Sequence, residues 1–354
     1  MGASDKPESE SPRGLRPAAY GLWNGCVMSL VSASLTDLYT PIHDELAVAE
    51  RIFDEEIAGD LDFINVLCDT VRSYRGKMLR PAMLLLAGKA TGELSNAHRT
   101  LAAVVEMVHM ATLVHDDVLD EAAERRQRPT IASIAGNTAA VLLGDHLISH
   151  AFHLCSGLQS QIASRRIGAA TNTVCEGELL QNHHRGDLGL TEKTYFEIIR
   201  RKTGALTAVS AELGGKFAGA GDGLVRSLHS YGMSSGVAFQ IIDDVLDIVG
   251  DESRVGKTLN RDLSRGNLTL PVIHCLAHAD RSTAAALREL VGTLRPGGTR
   301  PLRLLLEQTN SIDYAVETAQ QAVEDAISQL GLVPQSDAKQ CLVAMAEFIV
   351  AREF

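Results

Sequence analysis

The chain has 354 residues, 45% of them hydrophobic but only 4% aromatic, so it can bury a large core built mainly of aliphatic side chains. Its net charge of −11 argues against nucleic acid as the main partner, since a phosphate backbone selects basic surfaces. The six cysteines (Cys26, Cys68, Cys155, Cys175, Cys275 and Cys341) form no CxxC and no zinc-ligand spacing with His, so they read as reduced core thiols of a cytoplasmic protein.

Residues 1–36 read as an extension outside the folded unit. Residues 1–17 carry Asp5, Glu8, Glu10 and three prolines, a composition that suits disorder and not a transit peptide. Alternatively translation starts at Met28. The stretch Ala18–Leu35 is too rich in Gly, Ser and Asn to span a membrane. Residues 37–354 contain no Pro/Ser-rich linker and read as one domain.

In Arg75-Gly76-Lys77-Met78-Leu79-Arg80-Pro81, Pro81 opens a helix and Lys77 and Arg80 lie three apart. The next helix, over 97–121, has an apolar face with Leu101, Val104, Val105, Val108, Thr112 and Leu119. No proline occurs in the 141 residues between Pro129 and Pro271, where a β protein would need many turns. Thr191 is an N-cap for a helix over Glu192–Thr203, with acids early and Arg200, Arg201 and Lys202 late. Helical periodicity returns over 225–249, 312–331 and 335–352. Turns fall near 90–96, 183–191 and 293–301. The expected fold is all-α: one large bundle of ten or more helices, with its site in a central cavity between facing helices.

Two segments carry the chemistry. Asp116-Asp117-Val118-Leu119-Asp120 and Asp243-Asp244-Val245-Leu246-Asp247 are both DDVLD, 127 residues apart, and each ends a helix-like run. On a helix, positions i and i+4 set two carboxylates on one face. Mg2+ takes oxygen ligands and commonly bridges one or two carboxylates to substrate phosphates. Two such clusters facing each other would hold a diphosphate between several ions. Basic residues follow: Arg125-Arg126, Lys202-Thr203 and Lys257. Phosphates attract such groups, Arg as a fork and Lys as a point charge.

In order and spacing, R-G-K-M-L-R-P (75–81), the block 106–130 around the first DDVLD, G-D (144–145), E-G-E-L-L-Q (176–181), K-T (202–203), the block 239–251 around the second DDVLD, G-K (256–257) and D-L-S-R-G-N-L-T-L-P (262–271) resemble the trans-isoprenyl diphosphate synthase, or polyprenyl synthetase, family. The resemblance runs from about residue 40 to the last residues. It implies the isoprenoid-synthase helical bundle, and a Mg2+-dependent prenyltransferase, with about three ions per site. The substrates would be isopentenyl diphosphate and an allylic diphosphate such as farnesyl diphosphate, joined in repeated head-to-tail steps.

By matching position, Asp116, Asp120 and Asp243 would bind metal, supported by Asp117, Asp244 and Asp247. Arg125, Lys202 and Lys257 would add charge at the allylic diphosphate. Lys77, Arg80, His109 and Arg126 would hold the diphosphate of isopentenyl diphosphate. Thr203 and Gln240 would line the reaction zone beside Lys202. The chain departs from the family at Met78, where a cation is common, and at Asn267, where some members have Lys. The resemblance also implies a homodimer, with loose membrane association through the product.

The family uses the helix before the first cluster as a ruler, and a bulky residue five positions before its first Asp blocks the pocket. Here that position is Ala111, flanked by Thr112 and with Val108 a turn deeper, roughly 7–8 Å below the metal site and open to a product of C30 or longer, as in quinone side chains. A geranylgeranyl-type product and a non-catalytic partner subunit are the alternatives. Glu106 and His109 form an ExxH, the pattern of di-iron bundles, but a di-iron site needs two of them and further glutamates. A terpene cyclase would share the first cluster but not a second DDVLD. His183-His184 reads as a surface loop pair, and His115 as a packed neighbour of the acidic pair.

Overall fold

Long runs of Ala, Leu and Val with glycine at crossing points let helices approach closely, and the bundle is built on such crossings. The computed structural model describes residues 35–250, 259–293 and 299–351. After short helical turns at Leu35–Leu38 and Thr40–Ile42 come α1 (His43–Glu56), α2 (Asp62–Tyr74), α3 (Leu79–Thr91), α4 (Asn96–Leu119), α5 (Asn137–Gly157), α6 (Gln161–His183) and α7 (Glu192–Ile199). They continue as α8 (Ala205–Phe217), α9 (Asp222–Val249), α10 (Leu270–His278), α11 (Arg281–Thr293), α12 (Thr299–Glu307), α13 (Ser311–Gln329) and α14 (Asp337–Val350). The fold is all-α, as the proline-free stretch predicts. The described residues add one two-stranded antiparallel hairpin, β1 (Glu124–Arg125) and β2 (Arg128–Pro129).

α8 is the innermost helix: every residue from Ala205 to Gly215 is buried. It packs against α3 and α9, while α4 packs against α5 and α9 against α13. Gly214 makes the α8–α3 crossing possible, since a Cβ there would stand 2.1 Å from the Leu84 carbonyl oxygen. The start of α4 is tied to α8 through His98, whose Nδ1 accepts from the Ser95 amide (3.0 Å) and whose Nε2 lies 3.1 Å from the Gly214 carbonyl oxygen. That pattern needs the neutral ring, and burial, the main cause, lowers the His98 pKa.

Several expectations need correcting. Leu119 is 52% exposed, because α4 ends there and its last turn leaves the core. Cys175 is exposed and Cys341 half-buried, so only Cys68, Cys155 and Cys275 of the described cysteines are buried thiols; Cys26 lies outside the described residues. Thr191 does cap α7, accepting from the Thr194 amide (3.2 Å), but the α-helix stops at Ile199. Arg200–Gly204 is a π-helical turn that widens the coil before α8. No helix among the described residues is long and apolar enough to cross a membrane.

Candidate active site

The π turn is the local feature that positions chemistry. Such turns often mark functional sites, because the extra residue turns side chains out of the regular register. Three glycines let it fit. A Cβ on Gly177 of α6 would lie 2.6 Å from the Lys202 amide nitrogen, and one on Gly236 of α9 would lie 2.8 Å from the Gly204 Cα. One on Gly204 would meet the Met233 sulfur at 2.5 Å. Three backbones therefore converge around Lys202 and Thr203. Lys202 Nζ donates to Gln181 Oε1 (2.8 Å) and pairs with Glu178 Oε2 (2.6 Å). Burial works to lower its pKa, but Asp116 and Glu178 outweigh it and the net shift is upward, so Lys202 is firmly charged.

Thr203 Oγ1 donates to Gln240 Oε1 (2.6 Å), Gln240 Nε2 donates to Asp244 Oδ1 (2.8 Å), and Tyr195 OH donates to Asp244 Oδ2 (2.7 Å). Both oxygens of Asp244 are thus held by neutral donors. Burial, reinforced by the nearby Asp262 carboxylate, pushes the Asp244 pKa well above the ordinary range.

A cavity of about 610 Å³ opens beside this network. Asp117, Asp120, Asp243 and Asp247 line it with Lys77, Arg80, Glu106, His109, Arg125, Arg126 and Gln240. Its apolar wall is Phe239 and Leu246 of α9 and Met345, Phe348 and Ile349 of α14. Two acids from each cluster therefore share one cavity, while Asp116 is not among its lining residues. Lys202 and Asp244 line a small adjoining space with Gln181, Tyr195 and Asp262, and Gln240 and Asp262 border both.

The hairpin brings the arginine pair in. Arg126 and Gln127 are both left-handed (φ 52° and 61°), which forms a tight two-residue turn without the usual Asn or Gly. Left-handed Met78 (φ 51°) lines the same cavity, and Glu121 (φ 48°) follows its Asp120; strained backbone of this kind is characteristic of functional sites. Arg126 Nη1 donates to the Tyr74 carbonyl (2.7 Å), and Gly76 leaves room for the guanidinium in this position, since a Cβ there would be 2.5 Å from Nη2.

Arg125, expected beside the allylic diphosphate, lines the cavity and pairs with the first acidic cluster. It donates from Nε to both oxygens of Asp117 (3.0 and 3.1 Å), an acid only 2% exposed. Lys77 Nζ lies 5.0 Å from the centre of the Phe348 ring. Arg80 has a buried Nε with no hydrogen-bond partner. Burial lowers its pKa, yet a guanidinium stays charged at any working pH. Glu106 is 2% exposed and pushed up to about 7, by burial first, with Arg80, Arg75 and Arg126 opposing. Burial, then Arg80, Arg125 and Arg126, hold His109 well below 6.5, so it is a neutral imidazole.

Asp116 is pushed up to about 6, again mainly by burial, with Lys202 opposing. Lys257 lies outside the described residues. Ala111 and Val108 are fully buried, and Thr112 is half-buried with its hydroxyl on the His109 carbonyl (2.7 Å); none of the three lines the cavity.

Tyr195 and the α14 side chains escaped the sequence reading, and Arg265 stood within 262–271 without a role. Gln181, Glu178 and Asp262 stood inside the quoted blocks without a role. No local signal marks them, because their partners lie far away in sequence.

Residues 62–301 match the profile of the family described as Polyprenyl synthetase. The chain belongs to that family. It is an all-α trans-prenyltransferase. The chain is 34% identical over 302 residues to the octaprenyl diphosphate synthase of Escherichia coli strain K12, covering 84% of this chain and 93% of that one. It is 30% identical over 320 residues to component 2 of the heptaprenyl diphosphate synthase of Bacillus subtilis, covering 89% and 90%. Among solved structures it is similar to a polyprenyl synthase from Caulobacter crescentus CB15 complexed with calcium and isoprenyl diphosphate: TM-score 0.86, 31% identity, 91% of this chain and 98% of that one.

The acidic walls suit a divalent cation. Their carboxylates are oxygen donors, and burial leaves Asp116 and Asp244 short of compensating charge. Among the described residues no three His, Cys, Asp or Glu side chains already form a closed cage.

Proposed function

We propose that this polyprenyl synthetase condenses isopentenyl diphosphate with an allylic diphosphate in repeated head-to-tail steps, giving an all-trans polyprenyl diphosphate of C30 or longer. One observation carries the reading: Asp117 and Asp120 of the first DDVLD and Asp243 and Asp247 of the second line one cavity together with Lys77, Arg80, His109, Arg125 and Arg126. Acids for metal–diphosphate on two sides and basic groups for a second diphosphate describe a two-substrate site. The octaprenyl and heptaprenyl synthases among its relatives support the long product.

In this reading Asp116, Asp120 and Asp243 hold Mg2+, with Asp117, Asp244 and Asp247 fixed around them. Bound Mg2+ supplies Lewis-acid stabilisation of the leaving diphosphate. Lys202 adds charge at that diphosphate, held in place by Gln181 and Glu178. Arg80, with its unpartnered Nε, takes the diphosphate of isopentenyl diphosphate together with Lys77 and Arg126; neutral His109 donates a hydrogen bond without adding charge. The allylic C–O bond breaks, the isopentenyl double bond attacks the allylic carbon, and the departed diphosphate accepts the proton then lost. Phe239, Leu246 and Met345 exclude water from the cation. Positioning and electrostatics supply most of the acceleration.

The protein works as a homodimer. The motive is the exposed apolar surface of α5 and α6, where Leu142 is 62% and Leu179 69% exposed. Product analysis with Mg2+, labelled isopentenyl diphosphate and farnesyl diphosphate tests the reading, alongside Asp116→Ala and Asp243→Ala. The wild-type chain alone should yield C30 or longer, and each variant should lose more than the roughly 10–100-fold typical of an outer partner of a metal site. Inactivity of the chain alone, with activity restored by a second subunit, would overturn it.

A further inference from the structure

The two arginines that meet the first acidic cluster hold it differently. Arg125 forks onto both oxygens of Asp117, and that acid is 2% exposed. Arg265 instead bonds Asp120 with one nitrogen: Nη1 donates to Oδ2 (2.7 Å) while Nη2 donates to the Asp120 main-chain carbonyl (2.7 Å). Here the acid is 29% and the arginine 23% exposed, and both line the 610 Å³ cavity. All four side chains line the cavity and the two arginines are about equally exposed, so the difference lies in the acids: Asp117 is buried with both oxygens engaged, whereas Asp120 is partly exposed with one carboxylate oxygen outside the bond.

The backbone around Arg265 is fixed from the opposite side. The Arg265 amide donates to the Arg261 and Asp262 carbonyls (3.2 and 3.1 Å). The Asn260 amide donates to the Asp247 carbonyl (2.8 Å), and the Asp262 amide to Asp247 Oδ2 (3.2 Å). Arg265 thus stands on a segment anchored to the second acidic cluster and reaches across to the first. Only its side chain must turn for it to let go. A carboxylate engaged by a guanidinium is a poorer cation ligand, because the two positive charges repel. A guanidinium released into this cavity, in turn, faces whatever anion the cations hold.

We propose that Arg265 is an exchangeable counter-ion and a further diphosphate-binding residue: it occupies Asp120 until a divalent cation takes the carboxylate, then transfers to the diphosphate that arrives with the cation. This rests on the function proposed above. It assigns a substrate-binding cation to a position outside the basic groups that the spacing identified.

Calorimetry on the full chain, with Mg2+ alone and then with inorganic pyrophosphate at fixed Mg2+, tests it in Arg265→Gln and Arg265→Lys. Removing the competitor should tighten Mg2+ binding in Arg265→Gln several-fold. Removing the anion ligand should weaken Mg2+-pyrophosphate binding roughly 10- to 100-fold, the weight of one charged hydrogen bond. Arg265→Lys keeps the charge without the fork and should fall between. The KM for the allylic substrate should rise with the pyrophosphate Kd. Opposite shifts for the metal and the anion are what a merely structural arginine would not give, and helical content and melting temperature confirm that each variant is folded. If wild-type protein binds pyrophosphate with Mg2+ and Arg265→Gln binds it equally well, Arg265 is not a ligand and only this inference falls. Weaker Mg2+ binding in Arg265→Gln would likewise overturn the exchange. If the wild-type chain binds no pyrophosphate with Mg2+, the proposed function falls first.

Discussion

Removing one oxygen atom tests the buried network directly. Tyr195→Phe deletes the hydroxyl that donates to Asp244 Oδ2 (2.7 Å) and leaves the ring in place, so no cavity of consequence opens. Asp244 is 4% exposed, and its other oxygen is already taken by Gln240. A hydrogen bond to a charged group contributes about 1.5–3 kcal/mol, and one to a neutral acid about 0.5–1.5 kcal/mol. Burial favours the neutral acid before metal binds, so the apoprotein should lose only about 1 kcal/mol. The loss should grow when Mg2+ demands the carboxylate. The half-saturating Mg2+ concentration should therefore rise roughly 10–100-fold, the range for a partner that orients a metal ligand. Tyr195 lowers the Asp244 pKa, so its loss raises that pKa further, and the added Mg2+ requirement should be steeper at lower pH. Gln240→Leu should act through the same acid, so the double variant should cost less than the two effects summed. The assay is the initial condensation rate against Mg2+ at two pH values, beside thermal melts. A lower melting temperature with an unchanged Mg2+ requirement would refute the reasoning.

Lys77→Ala and Arg80→Ala should raise the KM for isopentenyl diphosphate more than that for the allylic substrate; equal effects would put them on the wrong diphosphate. Ala111→Phe adds a ring at a fully buried position, at a packing cost of about 1–3 kcal/mol, and should shorten the product towards C15–C20. A folded, active variant making the wild-type length would end the ruler hypothesis for α4. Glu106 is pushed up to about 7 from an ordinary 4.5, so its contribution to stability is present below pH 4.5 and is lost as pH rises towards 7, by up to roughly 3 kcal/mol. Glu106→Gln should therefore gain melting temperature relative to wild type at pH 8 and not at pH 4.5; parallel melting-temperature curves would show that Glu106 does not titrate as described.

The helices, the facing acidic clusters and Lys202–Thr203 were legible because their signals are local: a period, a spacing, a motif. Asp116 and Asp120 need only one helix to share a face. The partners of those acids were not legible. Tyr195 meets Asp244 across 49 residues and Arg265 meets Asp120 across 145, and nothing within a few residues of either announces it. Leu119 was misread because periodicity continues past the point where a helix leaves its neighbours. Arg125 was assigned to a diphosphate by its matching position, and a match in sequence does not declare that the guanidinium also forks onto a buried acid eight residues away. The widened turn at Arg200–Gly204 depends on Gly177 and Gly236 from two other helices, so the local sequence reads as uninterrupted helix.

The apolar wall from α14 has a practical consequence. Met345, Phe348 and Ile349 close one side of the cavity, and Phe348 carries Lys77 on its ring. The turn Leu35–Leu38 packs against this same helix, so an affinity tag or reporter placed directly before residue 35 and one placed after α14 would both join the chain at segments belonging to this wall. Libraries intended to alter product range gain most from varying these three positions, none of which is an acid of the site, while leaving Gly177, Gly204 and Gly236 alone.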